Sequence, residues 1–321
     1  MKILITGSSG LVGTALARAL TCGGHTVCRL VRPQSATGEG EKEGFAVAWN
    51  PATGELGDAP FVDAQGKPVG PDAVVNLAGA SIAGGRWTTQ RKALLRSSRI
   101  DTTRALVGAL AKMNARPSVV LSASAIGYYG NRGGEMLTEE SKPGADFLAG
   151  LAQEWEAEAL KAETLGIRVV LARFGIILAR EGGALPKMML PFKFGAGGKL
   201  GSGRQWMSWV MLEDVVAILQ FAIENASVRA AGNVAPVRGA LNIVSPQPLQ
   251  NAEFTKVLAK AMHRPALFPA PAFALRLALG EMADALLISS QRVAPQKLQQ
   301  LGYRFLHADL TSALETILAK S

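Results

Sequence analysis

Three glycines, Gly7, Gly10 and Gly13 in "TGSSGLVG", stand at the spacing that cradles the pyrophosphate of a dinucleotide. The first lets a strand turn sharply, the second lets backbone approach phosphate oxygens, and the third lets a helix pack closely on that strand. A helix opening with Leu11, Val12 and Gly13 would offer free amides and the positive end of its dipole to the phosphates. An NAD-selective site places Asp or Glu about 20 residues further on, where the carboxylate holds the ribose 2′-hydroxyl. Here "CRLVRP" takes that place, with Arg29, Arg32 and no acid, and a guanidinium can pair with the 2′-phosphate of NADP(H). Strand alternation sets Arg29 and Arg32 on opposite faces, and Arg32, beside a turn at Pro33, is the better placed. The expected cofactor is NADP(H); the competing reading of these residues is two surface arginines on an exposed strand end.

The elements that must position these groups are legible as alternating strands and helices. "KILIT" reads as a strand, "LVGTALARAL" as a helix and "HTVCRLV" as the next strand, which together make a βαβ unit. Residues 34–70 read as loop with an edge strand at "GFAVAW", and "DAVVNLAG" reads as a buried strand. One long helix is expected over residues 90–112, a strand at "PSVVLSASA", a helix over 146–165 and a strand at "IRVVLARFGII". This alternation implies an α/β fold, a Rossmann-type doubly wound parallel sheet. After Leu178 the chain becomes glycine-rich, then helical, with a strand at "GALNIVSP". We therefore expect an NADP-binding domain over 1–178, with later segments returning to it, and a smaller, mostly helical lobe over 179–321.

Composition narrows the class. A chain of 321 residues with 48% hydrophobic and 18% charged residues can bury a large core, which excludes a disordered or fibrous protein. The formal charge of +9 comes from Lys and Arg spread along the chain without a basic tract, so no nucleic-acid partner is expected. No apolar run reaches the roughly 18 residues that span a bilayer, and "MKILITGSSG" reads as a strand and turn, so the expected location is cytoplasmic, without a membrane partner. Two cysteines, Cys22 and Cys28, and three scattered histidines imply neither a disulfide framework nor a metal site.

"TGSSGLVG", "NLAGA" at residues 76–80 and "LSASAIGYYG" at 121–130 resemble an extended short-chain dehydrogenase/reductase of the epimerase/dehydratase type. "RWTTQRKALLRSSRIDTT", "FLAGLAQEWEAEA" and the tail "PQKLQQLGYRF" are similar to an atypical branch that ends in a C-terminal domain of unknown function. The resemblance covers essentially the whole chain. It implies that Arg32 contacts the NADP phosphate, that Leu77 and Ala78 lie along the adenosine side, that Gly79 and Arg99 are further cofactor contacts, and that Ile177 sits near the nicotinamide.

The same resemblance implies Ser124 as the residue that orients substrate and a Tyr-x-x-x-Lys pair, one helical turn apart, that moves the proton. That pair is missing: "FLAGL" stands in its place, with Phe147 for tyrosine and Leu151 for lysine. The substitutes within reach are Tyr128 and Tyr129, just beyond Ser124, or Glu139 and Glu140 in "LTEES"; each also has a packing role open to it, the acids as caps of the helix that follows. Trp155 and Glu156 are expected to pack rather than react. "GGKLGSGRQWMSW", with Lys199, Arg204, Gln205, Trp206 and Trp209, is either a substrate wall or a packed loop. The sequence thus points to an NADP(H)-binding, epimerase-like oxidoreductase or isomerase with a nonstandard acid/base, acting as monomer or homodimer on a small carbonyl or sugar-like molecule. The alternative is a non-catalytic protein that senses NADP(H).

Overall fold

The computed structural model describes residues 1–32, 45–56, 61–63, 65–225, 228–230 and 233–319. The turn expected at Pro33, and parts of the segment read as loop over 34–70, lie outside the described residues.

The centre is an eight-stranded sheet in the order β15-β8-β6-β5-β1-β2-β3-β4. Its strands are β1 (Lys2–Thr6), β2 (Thr26–Val31), β3 (Phe45–Asn50), β4 (Glu55–Leu56), β5 (Ala73–Asn76), β6 (Val119–Ala125), β8 (Arg168–Phe174) and β15 (Gly239–Ile243). All pair in parallel except β4, which turns back along β3. Central strands such as "AVVN" and "VVLSAS" are buried on both faces, as expected of a parallel sheet covered by helices. Helices α1 (Leu11–Cys22) and α6 (Leu212–Glu224) cover one face, where Leu16, Leu20, Ile218 and Leu219 meet Ile3, Ile5 and Val75. Helices α3 (Ile100–Ala111) and α4 (Phe147–Leu160) serve the other face, where Leu106, Leu110 and Ala159 pack on Leu4, Val74 and Val120. This is the doubly wound Rossmann arrangement.

The remaining elements form the second lobe and its connections. They are β7 (Met136–Leu137), β9 (Ile176–Ala179), β10 (Gly182–Gly183), α5 (Leu185–Lys193), β11 (Trp206–Met207), β12 (Trp209–Met211), β13 (Val228–Ala230), β14 (Asn233–Ala235), β16 (Leu249–Gln250), α7 (Asn251–Ala261), α8 (Ala272–Leu279), α9 (Glu281–Ala283), β17 (Arg292–Val293), α10 (Gln296–Gln300) and α11 (Leu310–Ala319). Its core gathers Leu178, Leu185, Phe192, Trp209, Phe254, Leu258 and Leu314. Segments after Leu178 return to earlier ones: α6 packs on the sheet, β15 joins it beside β8, and β17 pairs with β7.

The long helix expected over 90–112 is instead two, α2 (Thr89–Ser97) and α3, with a break at Ser98 and Arg99. Both side chains at the break turn back on a loop: the Ser98 hydroxyl accepts the Ala80 amide at 3.1 Å, and Arg99 Nη2 donates to the Ala80 carbonyl at 3.0 Å. The helix expected over 146–165 is α4 followed by a tighter 3₁₀ turn, Lys161–Leu165. Among the described residues no helix is long and apolar enough to cross a membrane.

Candidate functional site

The glycine turn joins β1 to α1. Gly7 has φ +67°, and a Cβ there would lie 2.5 Å from the Leu77 carbonyl oxygen, so the turn and the end of β5 touch through backbone alone. A Cβ on Gly13 would lie 2.2 Å from the Gly7 oxygen, which fixes how closely α1 approaches the turn. Gly10 caps α1 without a side chain, and no acid stands in the first helical turn. The amides there face whatever ligand comes, undiminished by a local carboxylate. The Thr14 hydroxyl, donating to the Ser8 carbonyl at 3.0 Å, pins the loop to its helix.

Beyond this turn opens a cleft of roughly 1870 Å³, walled by Gly7 to Gly10, Leu77 to Ala80, Trp49 and the first turns of α3. Arg29 and Arg32 both line it. The alternation that placed them on opposite faces does not extend that far, because β2 ends at Val31 and Arg32 already lies beyond the pleat. Asp101 is the one acid among the described lining residues, and Arg104 Nη1 binds it at 2.9 Å. The cleft floor is held by a buried chain of hydroxyls and amides. Thr6 Oγ1 donates to Asn76 Oδ1 at 2.7 Å, while Asn76 Nδ2 and Trp155 Nε1 both donate to Thr103 Oγ1. Trp155 therefore packs.

Leu77, Ala78 and Gly79 stand in the cleft wall, whereas Arg99 lies behind it. Its guanidinium donates to the carbonyls of Leu95 and Ala80 and stands 5.2 Å from the Trp155 ring. Burial, and then the charge of Arg91, push its pKa down to about 10. Leu11 and Val12 begin α1; Leu11 reaches the β9–β10 turn, where a Cβ on Gly182 would lie 3.0 Å from Leu11 Cδ1. Ile177 belongs to β9 and pairs with Val210, half-buried beside the same helix start.

Four elements converge at the end of β6. The Ser124 hydroxyl, buried, donates to Glu156 Oε1 of α4 at 2.6 Å. Both Glu156 oxygens accept from Arg173 of β8, at 2.8 and 2.7 Å, and this ion pair is almost wholly buried. Arg173 Nη1 donates to the Tyr129 hydroxyl at 3.0 Å, and that hydroxyl donates to Asn242 Oδ1 of β15 at 2.7 Å. Asn242 Nδ2 ends the chain on the Ala294 carbonyl. Burial raises the Tyr129 phenol to about 12 despite the nearby Arg173 charge. Burial alone would lower Arg173, but the hydrogen bonds and charge of Glu156 hold it above its ordinary value. Arg173 also stacks on the Tyr128 ring, 3.5 Å from its centroid, and the Tyr128 hydroxyl has no hydrogen bond among the described residues.

Glu139 and Glu140 do not cap α4, which is capped by Asp146 accepting from the Ala149 amide. Glu139 instead accepts the backbone amides of Asn242 and Lys297, joining the sheet edge to α10, and burial raises its carboxyl against those bonds. Glu140 is exposed. At the missing pair, the Phe147 ring meets Trp87 edge-on at 5.3 Å, with the Lys92 ammonium 4.8 Å from its centroid. Lys92 in turn binds Glu281 of α9 at 2.5 Å. Leu151 is buried with Leu95 and Ile100.

A second cleft, of roughly 420 Å³, lies just past the Tyr129 turn between Asn131, Gly133 and Gly134 on one side and Ser202, Arg204, Trp206 and Gln250 on the other. Arg292 stacks on the Trp206 ring at 4.3 Å. Trp209 belongs to the packed core instead, its indole donating to the Gln247 carbonyl. Sequence reasoning did not single out Arg173 or Asn242 at all. The available signal was a charged or amide residue inside an otherwise apolar strand, "RVVLARF" and "GALNI".

Comparison with known proteins fits this geometry. A family model described as the NAD dependent epimerase/dehydratase family matches residues 3–235, and a domain of unknown function, DUF1731, matches 270–317. An epimerase family protein of Mycobacterium leprae is 41% identical over 312 residues, covering 97% of this chain and 94% of its own length. The epimerase family protein YfhF of Bacillus subtilis is 38% identical over 321 residues, covering 99% and 98%. Among solved structures, the human epimerase family protein SDR39U1 with NADPH superposes with a TM-score of 0.83 at 30% identity over 100% of both chains.

Proposed function

Because the chain belongs to the NAD dependent epimerase/dehydratase family, we propose that it is an NADP(H)-dependent oxidoreductase or isomerase. Its substrate would be a small carbonyl or sugar-like molecule, and a group other than a Tyr-x-x-x-Lys pair would move the proton. The observation that carries this reading is the end of β2. Arg29 and Arg32 line the cleft that the glycine turn opens, and the described lining offers no carboxylate free to hold a ribose 2′-hydroxyl. A 2′-phosphate meets guanidinium there, which favours NADP(H) over NAD(H). The human relative described with NADPH supports the same choice.

The bound nicotinamide would supply or accept the hydride. The chain's own residues would position the substrate and exchange the proton. Ser124 and Tyr129 have their hydroxyls engaged by Glu156, Arg173 and Asn242, which suits them to fixing the β6 edge. Tyr128 has a hydroxyl unengaged among the described residues, on a ring held by Arg173, and we assign it the proton transfer to or from the substrate oxygen. The second cleft, with Arg204 and Trp206, would take the far end of the substrate.

Leu151 favours the second reading, a non-catalytic NADP(H) sensor. It sits in an apolar cluster where a lysine ammonium would lose its hydration, so the lost pair has been packed over. A test is NADPH carrying deuterium at the transferable position, offered with a panel of aldehydes, ketones and nucleotide sugars. Deuterium in a product, with Tyr128→Phe lowering kcat about 100-fold, would support the enzyme. No transfer to any compound, together with an altered proteolysis pattern on adding NADPH, would favour the sensor.

A further inference from the structure

The second cleft, just past the Tyr129 turn, gathers unused donors, and no acid stands among its described lining residues. Arg204 is exposed there, and among the described residues its guanidinium makes no hydrogen bond or ion pair; only its backbone amide is engaged, donating to Ser202 Oγ at 3.2 Å. The indole N–H groups of Trp87, Trp155 and Trp209 each donate to an oxygen of the chain. That of Trp206, which lines the cleft, donates to none among the described residues. Asn131 uses its side-chain oxygen to accept the Ser290 amide at 3.1 Å, which leaves its NH2 group as a further donor. Arg292 adds a second cation. It stands 4.3 Å from the Trp206 ring centroid, and its Nε is buried with no hydrogen-bond partner among the described residues. Arg173, by contrast, is buried together with a carboxylate. A guanidinium withdrawn from water without such a partner costs free energy, and a buried donor left open calls for an acceptor from outside the chain.

We infer that the second cleft binds a carboxylate, so that the substrate is a carbonyl or hydroxyl compound that also bears an acid group. This rests on the reading of that cleft as the place of the substrate's far end. A carboxylate fits better than a phosphate. Helix α7 starts at the cleft, with Gln250 in the lining, and a helix start is the common cradle of a phosphate. Here its first two amides are already taken: Asn251 donates to the Gln205 carbonyl and Ala252 to the Gly203 carbonyl, both at 2.9 Å. Glu253 stands in the same first turn, and its charge opposes a dianion. What remains is a planar guanidinium fork, an indole N–H and an amide, a set that matches two coplanar oxygens carrying one charge. The cleft's roughly 420 Å³ suits a small molecule. Its wall at Asn131 continues the turn that carries Tyr128, so an acid anchored there leaves the reacting oxygen to Tyr128.

Benzoate, benzamide and phenyl phosphate share one ring and differ in the group offered to the cleft: a monoanion, a neutral amide and a dianion. Each is titrated into the full chain carrying isotope-labelled tryptophan. The indole N–H resonance of Trp206, assigned by its disappearance in Trp206→Phe, reports binding without cofactor or turnover, so failure of the oxidoreductase reading leaves the result intact. Benzoate is expected to shift that resonance saturably, benzamide not at all, and phenyl phosphate with lower affinity than benzoate. Arg204→Gln, a change at an exposed side chain, should weaken benzoate at least about tenfold, as loss of a hydrogen bond to a charged group requires. Arg292→Gln provides the same test from the buried cation. No saturable shift with benzoate, an equal shift with benzamide, or benzoate binding indifferent to both arginine variants overturns the inference. Phenyl phosphate binding more tightly than benzoate would assign the cleft to phosphate esters, and equally overturns it.

Discussion

The start of α1 and the end of β6 both lie at the carboxyl edge of the same sheet, yet they treat their polar groups in opposite ways. At the glycine turn, backbone amides and Arg32, just beyond the end of β2, open onto a large cleft. At the end of β6, Ser124, Glu156, Arg173, Tyr129 and Asn242 bond to one another and are buried. The first arrangement keeps donors for a ligand that is not part of the chain. The second completes itself, and its ordered groups fix three strands and a helix in register without needing a substrate. The difference teaches that residue type and position along the sheet edge do not make a catalytic group; the hydrogen bonds it already makes decide what it has left to offer.

The contrast can be broken most severely at the buried pair. Glu156→Ala leaves Arg173 charged and unpaired in the interior, and should cost about 3–5 kcal/mol of stability while leaving NADPH affinity at low temperature nearly unchanged. Adding Arg173→Met should restore much of that loss, measured by chemical denaturation; an equal loss in both variants would show that the network does not act as a unit. At the other region, Gly13→Ala puts a methyl group against the Gly7 carbonyl and should weaken NADPH by more than about a hundredfold, near 3 kcal/mol. Calorimetric titration decides it, and undiminished binding would mean that the phosphates do not sit on the turn.

Smaller perturbations sharpen the comparison. Ser124→Ala removes one hydrogen bond to a carboxylate and should lower stability by about 1.5–3 kcal/mol without changing cofactor affinity. A cofactor defect with intact stability would return Ser124 to a binding role. The smallest effect concerns pH. The Glu139 carboxyl is raised by burial, so its proton is held more tightly in the folded chain than in the unfolded one. Stability from this group is full below the ordinary carboxyl range and falls as pH rises through it. Glu139→Gln should therefore gain on the wild type as pH rises from acid towards neutral, and the opposite slope in pH-dependent melting would contradict the assignment.

The Rossmann framework was legible because near-continuous apolar strands alternate with helices whose apolar faces recur every three to four residues. The single helix expected over 90–112 was not two in the sequence because periodicity cannot see Ser98 and Arg99 reaching back to the Ala80 loop. The glycine turn and the arginines at the end of β2 were readable for a local reason: their spacing along the chain is their spacing in space. The β6 network was not, since Ser124, Glu156, Arg173 and Asn242 come from four separated elements that only the sheet order brings together. Glu156 illustrates the limit. It was expected to pack, and it does so as the carboxylate of a buried ion pair that sequence pattern alone could not pair.

The central claim, that the open cleft is an NADP(H) site read by the strand-end arginines, is tested most directly by fluorescence titration with NADPH and NADH, wild type beside Arg32→Ala. The account predicts tighter binding of NADPH, weakened about ten- to a hundredfold in the variant, as a charge-assisted contact of about 1.5–3 kcal/mol requires, with NADH little changed. Equal affinity for both nucleotides, or NADPH binding indifferent to Arg32, would contradict it.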